Sequence, residues 1–487
     1  MYLQELLKGI QVEKIIGNMD IDIEDIYFDS RFVTQKSLFI CIEGFKTTGS
    51  LYINEAIQRG AVAILSEKEI AIEGTTTIKV ENSRKALAAV ASRFYKFPTN
   101  TLKLVGVTGT NGKTSITYMV KSILGYYNIN VGLIGTISNW IGNKEIEAVR
   151  TTPESLELQK ILNEMVEQKV DTCVMEVSSH ALELGRVDHT KFTMGIFTNL
   201  TPEHLDFHED MDHYRNAKKK LFYKTTLCNI INVDDIHGKM IAEELKEEQI
   251  PLITFGMNQQ ADVYATDLKI NLKGVSFQLH MGQDSKEFHV KIPGLFTVYN
   301  AMPSILICYI LGLSLEEISI ALEAMKGVPG RFEVVEEIQR NSVIIDYAHT
   351  PDALENILIS TRKFAPKRII TVFGCGGDRD KTKRRIMGEI SGKYSDYSII
   401  TSDNPRTEEP LKIIEMIEDG IKQVTDQYKI MIDRRCAIEY AMKIAEEKDI
   451  IILAGKGHEK TQVIGNEVFY FDDREVALEI ARKEGLI

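Results

Sequence analysis

No apolar run in this 487-residue chain approaches the roughly 20 residues that a membrane-spanning helix needs. The first residues, Met1-Tyr2-Leu3-Gln4-Glu5, carry an early acid and no apolar stretch, so no signal peptide is expected. Cysteine is sparse. The six (41, 173, 228, 308, 375 and 436) lack metal-site spacing, and most lie in apolar patterns, as reduced core thiols of a cytoplasmic protein would. Basic charge is in deficit, with 58 Lys plus Arg against 70 Asp plus Glu and a net charge of −12. That balance argues against nucleic acid as the main partner and leaves local basic patches for small anions. Internal repeats and low-complexity tracts are also lacking.

What is present is an ordinary globular composition, 44% hydrophobic and 26% charged, in a chain too long for one domain. Its most specific stretch is Gly106-Val107-Thr108-Gly109-Thr110-Asn111-Gly112-Lys113-Thr114. The apolar run Leu102–Val107 predicts a buried strand, and Lys113-Thr114 opens an apolar-periodic helix. Between them Gly109, Thr110, Asn111 and Gly112 form a tight loop. Its backbone N–H groups can wrap phosphates while Lys113 neutralises their outer oxygens and Thr114 offers a hydroxyl to magnesium. The loop is the short form T-G-T-N-G-K-T, and nucleotide binding is the reading.

Three blocks follow from turn chemistry. The first ends at Lys96-Phe97-Pro98-Thr99-Asn100 and the second at Gly327-Val328-Pro329-Gly330. The expected domains are 1–98, 99–328 and 329–487. In the second, Thr172–Val177, Gly195–Asn199 and Asn229–Val233 read as strands. In the third, strands Val343–Tyr347, Ile369–Phe373, Ser398–Thr401, Ile430–Ile432 and Ile450–Leu453 alternate with helices such as Leu354–Phe364 and Leu411–Val424. Such alternation predicts a doubly wound parallel sheet, with ligands beyond the carboxyl ends of its strands.

Polar residues gather at those ends. Glu176 closes an apolar strand, as a magnesium-completing carboxylate opposite a phosphate loop would; Ser178, Ser179 and His180 follow it. His204, just past another strand, is a candidate metal ligand. Asn216–Phe222 reads as a helix whose Lys218-Lys219-Lys220 run, taken alone, is a solvated face. In the last block Asp403, Asn404 and Arg406 surround Pro405, with Arg379 before them and Glu459 after. Arginine forks onto a carboxylate and acids hold an ammonium, so an amino acid would fit; an ordinary Asp-Asn-Pro turn explains the stretch equally well.

Thr108–Thr114, Glu176–His180, Thr198–Asp206, Ala217-Lys218, Asp346-Tyr347-Ala348-His349-Thr350-Pro351 and the last-block clusters together resemble the Mur ligases of peptidoglycan synthesis. The resemblance spans essentially the whole chain, including Asp29-Ser30-Arg31. It implies a three-domain α/β fold: a smaller N-terminal α/β domain, a central P-loop ATP-binding domain and a C-terminal Rossmann-like domain. It implies that Ser30, Thr151, Thr152, Ser178 and Arg186 hold UDP-N-acetylmuramoyl-L-alanyl-D-glutamate. Lys113 and Thr114 match the phosphate-loop pair, Glu176 and His204 the magnesium ligands, and Asn300, Arg331 and Asp346 further ATP contacts. Lys218 matches a lysine that relatives carry as a carbamate, formed with carbon dioxide, because an anionic oxygen ligand suits magnesium where an ammonium repels it. Arg379, Asp403, Asn404, Arg406, Gly455 and Glu459 match the amino-acid pocket, and Asp-Asn-Pro-Arg at 403–406 is the form associated with meso-diaminopimelate.

The activity implied is ATP-dependent amide-bond formation through an acyl phosphate, in a cytoplasmic monomer. Alternatives are a ligase for lysine or another diamino acid, a folate-type glutamate ligase, and a nucleotide-binding paralogue without turnover. Thr47-Thr48-Gly49-Ser50, Thr297 and Pro303 around Asn300, and Arg385 depart from the family pattern. None of them removes a catalytic group.

Overall fold

The computed structural model describes every residue except 45, 46 and 204. The chain divides into two compact units, Met1–Phe255 and Gly256–Ile487. The first unit holds two sheets. Its N-terminal sheet has the order Val12–Ile16, Thr76–Val80, Ala61–Ser66, Ser37–Ile40, Asp25–Tyr27, with only the first strand antiparallel. Leu38, Ile40, Ala63, Leu65 and Ile78 from these strands meet Leu87 and Val90 of the helix Ser83–Phe94 in one core. Asn82 starts that helix by accepting a hydrogen bond from the Lys85 amide at 2.9 Å.

The second sheet of this unit carries the loop of residues 109–112, the expected phosphate loop. Strands Thr225–Asn232, Phe192–Phe197, Lys103–Thr108, Thr172–Glu176 and Val131–Ile134 lie side by side and parallel, continued by the antiparallel pair Ser138–Ile141 and Lys144–Glu147. All of Leu104 to Thr108 is buried, as in a strand covered by helices on both faces. Register pairs Glu176 with Val107 and Phe197 with Thr108, so three neighbouring strands end at one level. Their exits deliver residues 109–113, 177–180 and 198–201 to the same edge. The strands expected from the sequence exist, displaced by at most a few residues at either end.

In the second unit, Val263–Asn271, Gly274–Met281 and Asp284–Val290 form an antiparallel meander. Helix Leu295–Ile310 contains Pro303, which can donate no backbone hydrogen bond there. The last sheet has the order Glu333–Val334, Ser342–Asp346, Ile450–Ala454, Ile369–Phe373, Tyr397–Ile400, Tyr428–Ile430, parallel apart from the first strand. This is the doubly wound arrangement that the alternation predicted. The expected strand Ile430–Ile432 lies earlier, at Tyr428–Ile430, on an edge where burial is partial and the apolar signal correspondingly weak.

Candidate active site

The loop after Lys103–Thr108 is built around a residue that tolerates no side chain. Gly109 has φ 144°, and an added Cβ would stand 1.8 Å from Thr198 Oγ1. Next to it the Thr110 amide donates to the Asn199 carbonyl at 2.9 Å and the Asn111 amide to Asn199 Oδ1 at 2.9 Å. Thr198 Oγ1 donates to the Asn111 carbonyl at 2.6 Å. The neighbouring strand's exit therefore holds the loop in shape. Gly112 has φ 88° and leads into helix Lys113–Tyr126. Lys113 Nζ donates to the carbonyls of Gly109 at 2.9 Å and Thr110 at 2.7 Å.

Thr114 and Glu176 meet at this edge. Thr114 Oγ1 donates to Glu176 Oε1 at 3.0 Å, and both residues are buried. The same carboxylate accepts from the Thr136 amide at 2.8 Å and the Thr136 hydroxyl at 3.0 Å. His204 lies outside the described residues.

Lys218 overturns the solvated reading of the lysine run. Its helix, Met211–Lys219, ends before the expected 222, and residues 220–224 form a 3₁₀ turn. Lys218 is only 1% exposed; Nζ donates to the Gly109 carbonyl at 2.9 Å and lies 4.5 Å from the Tyr214 ring centroid. Burial, reinforced by the charge of Lys113 and opposed by Glu203, pushes its pKa well below the ordinary lysine value. Its amine is thus biased towards the neutral, nucleophilic form. Lys219 and Lys220 instead pair with Glu244 at 2.5 Å and Glu183 at 2.6 Å.

A second group lies beside Glu176. Thr152 Oγ1 donates to the Glu176 carbonyl at 2.8 Å and accepts from the Ser178 amide at 3.1 Å. Thr151 and Thr136 hydroxyls are 3.1 Å apart. Arg186 donates to the Thr152 carbonyl at 3.2 Å and pairs with Glu154 at 3.0 Å. Burial lowers the Arg186 pKa, with Glu154 the chief opposing influence. Glu154 also pairs with Arg84 at 3.0 Å. Thr151, Thr152, Ser178 and Arg186 are therefore brought together. Ser30, in the N-terminal sheet region, donates to Glu55 at 2.7 Å and makes no hydrogen bond to those four among the described residues.

In the second unit, Asn300 is buried on helix Leu295–Ile310, where its carbonyl accepts from Ser304 Oγ at 2.7 Å. Asp346 ends its strand with its carboxylate accepting from the amides of Phe332 at 2.7 Å and Ala348 at 2.8 Å. Burial raises its pKa, opposed by Arg331, whose guanidinium lies 4.7 Å from the Tyr347 ring centroid.

The last cluster lies at the ends of three strands. Asn404 Nδ2 donates to Glu459 Oε2 at 2.8 Å, and Asn404 Oδ1 accepts from the Val463 amide at 2.9 Å. Fully buried Lys456 reaches the same Glu459 oxygen at 3.4 Å. Gly455 has φ 111°, and a Cβ there would come within 2.6 Å of Asp403 Oδ2. Arg406 donates to the Gly377 carbonyl at 2.8 Å, and exposed Arg379 to the Asp378 carbonyl at 3.3 Å. Every residue expected here shares this edge. The set offers acids and an amide in one part and two guanidinium groups in another.

A protein of Alkaliphilus metalliredigens (strain QYMF) named UDP-N-acetylmuramoyl-L-alanyl-D-glutamate--2,6-diaminopimelate ligase is 56% identical to this chain, covering 100% of it and 99% of the relative. The chain belongs to the Mur ligase family. Models of that family match in three stretches: the Mur ligase family catalytic domain at residues 22–95, the middle domain at 107–308 and the glutamate ligase domain at 330–457. A Clostridioides difficile (strain 630) protein of the same name is 49% identical, covering 99% of this chain and all of the relative. A solved structure of a ligase so named superposes with a TM-score of 0.71 at 28% identity, covering 100% of this chain and 99% of that one. The fold is the three-domain α/β fold of Mur ligases.

Sequence reasoning passed over Glu154, Arg84, Arg384 and Glu408, whose partners lie 24 to 70 residues away. Glu154 follows Thr151-Thr152-Pro153, and that adjacency was the available signal.

Proposed function

We propose that this Mur ligase joins meso-diaminopimelate to UDP-N-acetylmuramoyl-L-alanyl-D-glutamate, with ATP converted to ADP and phosphate, in peptidoglycan precursor synthesis. Full-length identity of 56% to a ligase named for these substrates carries the reading. The division at 1–98, 99–328 and 329–487 accompanies it, as does a cytoplasmic, monomeric setting without a nucleic-acid partner. No helix among the described residues is long and apolar enough to cross a membrane.

The chemistry begins with a carboxylate, a poor electrophile. An oxygen of the D-glutamate carboxylate attacks the γ-phosphorus of ATP, the bond to the bridging oxygen breaks, and ADP leaves. The acyl phosphate then accepts an amine of diaminopimelate at its carbonyl carbon, phosphate departs, and the amine loses a proton. Gly109–Gly112 amides and Lys113 offset charge on the phosphates. Asn300, Arg331 and Asp346 hold the rest of the nucleotide. Ser30, Thr151, Thr152, Ser178 and Arg186 hold the UDP substrate. Asp403, Asn404, Gly455 and Glu459 take one ammonium-carboxylate centre of the amino acid, and Arg379 and Arg406 the distal carboxylate.

The oxygen-rich, buried pair Thr114 and Glu176 suits a hard divalent cation, and the suppressed charge of Lys218 is what a third, carbamate ligand requires. In that modification Nζ attacks carbon dioxide, an N–C bond forms and one amine proton is released. His204 completes the proposed set, and magnesium held there would lower the negative charge on the transferring phosphoryl group.

Phosphate release, measured with the UDP-dipeptide, ATP and each candidate amino acid in turn, tests the reading. Release with meso-diaminopimelate and little with lysine is expected. Equal rates would refute the specificity, and no release with any amino acid would refute the ligase assignment.

A further inference from the structure

Two arginines stand in for the distal-carboxylate pocket in this reading, yet they sit on different loops. Arg379 follows the strand Ile369–Phe373 and Arg406 follows Tyr397–Ile400. Both loops flank Gly376, where a built Cβ would lie 2.9 Å from Arg406 Nη1 and 3.8 Å from Arg379 Cγ. Arg406 brings its guanidinium to this glycine and Arg379 its side-chain stem, so the distance between the two loops sets where both arginines stand.

The restraint is specific. Asp378 and Arg406 both occupy left-handed backbone, at φ 53° and 51°, a conformation that non-glycine residues keep only when their surroundings impose it. The Gly377 amide donates to the Asn404 carbonyl at 2.9 Å, and Arg406 Nη1 returns a bond to the Gly377 carbonyl at 2.8 Å. Asp378 accepts from the Thr407 hydroxyl at 2.7 Å and the Thr407 amide at 3.2 Å. Beneath them lies Arg384, fully buried on helix Thr382–Tyr394. Its guanidinium forks onto Glu408, at 2.9 Å and 2.8 Å, and reaches the Gly376 carbonyl at 3.3 Å. Glu408 Oε1 also accepts the Asp378 amide at 2.7 Å. One ion pair thereby grips both loops.

We propose that the Arg384–Glu408 pair is a positioning element that sets Arg379 and Arg406 side by side for a ligand's distal carboxylate, and so governs selection of diaminopimelate over lysine. This rests on the ligase reading above. A bidentate pair fixes a plane as well as a distance, which a single ammonium in place of Arg384 would not. Hydrogen bonds from the Arg384 guanidinium, helped by the Asp378 amide and the Arg384 charge, hold the Glu408 carboxyl down to about 2, so the pair stays ionised near neutral pH.

The test compares wild type with Glu408→Gln and with Thr407→Val, an exposed site whose change leaves the buried pair intact. Michaelis constants for diaminopimelate, ATP and the UDP-dipeptide are measured, together with the ratio of kcat/KM for diaminopimelate to that for lysine. Glu408→Gln should raise the diaminopimelate constant at least about tenfold and cut the ratio by a similar factor, with the other two constants within about twofold. Thr407→Val, which removes one bond to Asp378 but keeps the pair, should hold the ratio within about threefold of wild type, and Glu408→Asp should lose less than Glu408→Gln. Near-wild-type selectivity in folded Glu408→Gln overturns the proposal, as does a parallel rise in all three constants. If Glu408→Gln fails to fold, Glu408→Asp alone decides, because its shorter side chain withdraws the carboxylate from the Arg384 fork while keeping its charge. Wild-type enzyme that ignores diaminopimelate would instead refute the ligase specificity, so the two failures are distinguishable.

Discussion

Lys218 shows how surroundings decide what one amine can do. In water it would be an ammonium; burial first, and then the charge of Lys113, push its pKa well below the ordinary lysine value. Lys218→Ala should lower turnover by roughly a hundredfold to a thousandfold, the usual cost of losing a group that stabilises transferring charge. High acetate should restore part of it, and labelled carbon dioxide should give a carbamate signal in wild type alone. Full activity of a folded Lys218→Ala protein would leave the lysine a structural residue. In the proposed reaction Arg406 would take the complementary role of meeting a fixed anion. Arg406→Ala should raise the Michaelis constant for diaminopimelate far more than that for ATP. It should also shrink a preference over lysine that can reach about 10⁴-fold when a buried polar group is left unpaired. Kinetics with both amino acids would show this as loss of the better substrate.

At the scale of elements, the last sheet buries ionisable groups where its strands end. His458 is pushed down to about 3, chiefly by burial and then by the nearby charges of Arg331, His349 and Lys456. The unfolded chain therefore binds this proton below its ordinary value of 6.5 while the folded chain does not, and stability falls as pH drops from 6.5 towards 3. Glu408 adds a second fall. Its contribution is complete above the ordinary 4.5 and is lost as pH drops through to about 2. Thermal midpoints measured from pH 7 downwards should decline in both windows. His458→Asn should make the upper decline shallower and leave the lower one; an unchanged profile would mean that the imidazole is already protonated in the fold.

Across the whole molecule, Glu154 links parts of the chain that are distant in sequence. It caps the helix Ser155–Glu167 on the nucleotide-binding sheet and pairs with Arg84 from a helix of the N-terminal sheet, as well as with Arg186. Arg84 also reaches the Glu43 carbonyl at 3.4 Å. Glu154→Ala would leave two largely buried guanidinium groups without their counter-ion, a loss of about 3–5 kcal/mol for a fully buried pair and less where water reaches it. We expect a lower thermal midpoint and a raised Michaelis constant for the UDP-dipeptide, with that for ATP little changed. Equal shifts in both constants would point to general loosening instead.

What the sequence determined by itself was local. Continuous apolar runs such as Ile369–Phe373 specify buried parallel strands, and Gly-Lys-Thr after one of them specifies a phosphate loop, because both depend on neighbours within a few residues. The clusters at the ends of the last strands were legible for the same reason. Only the tertiary structure decided that Lys218 is buried while Lys220 is not, since helical periodicity does not say which face meets another element. It alone joined Glu154 to Arg84 and Arg384 to Glu408. Those pairs form where the chain returns to itself, and an ion pair between residues 24 or 70 positions apart leaves no period or spacing to read.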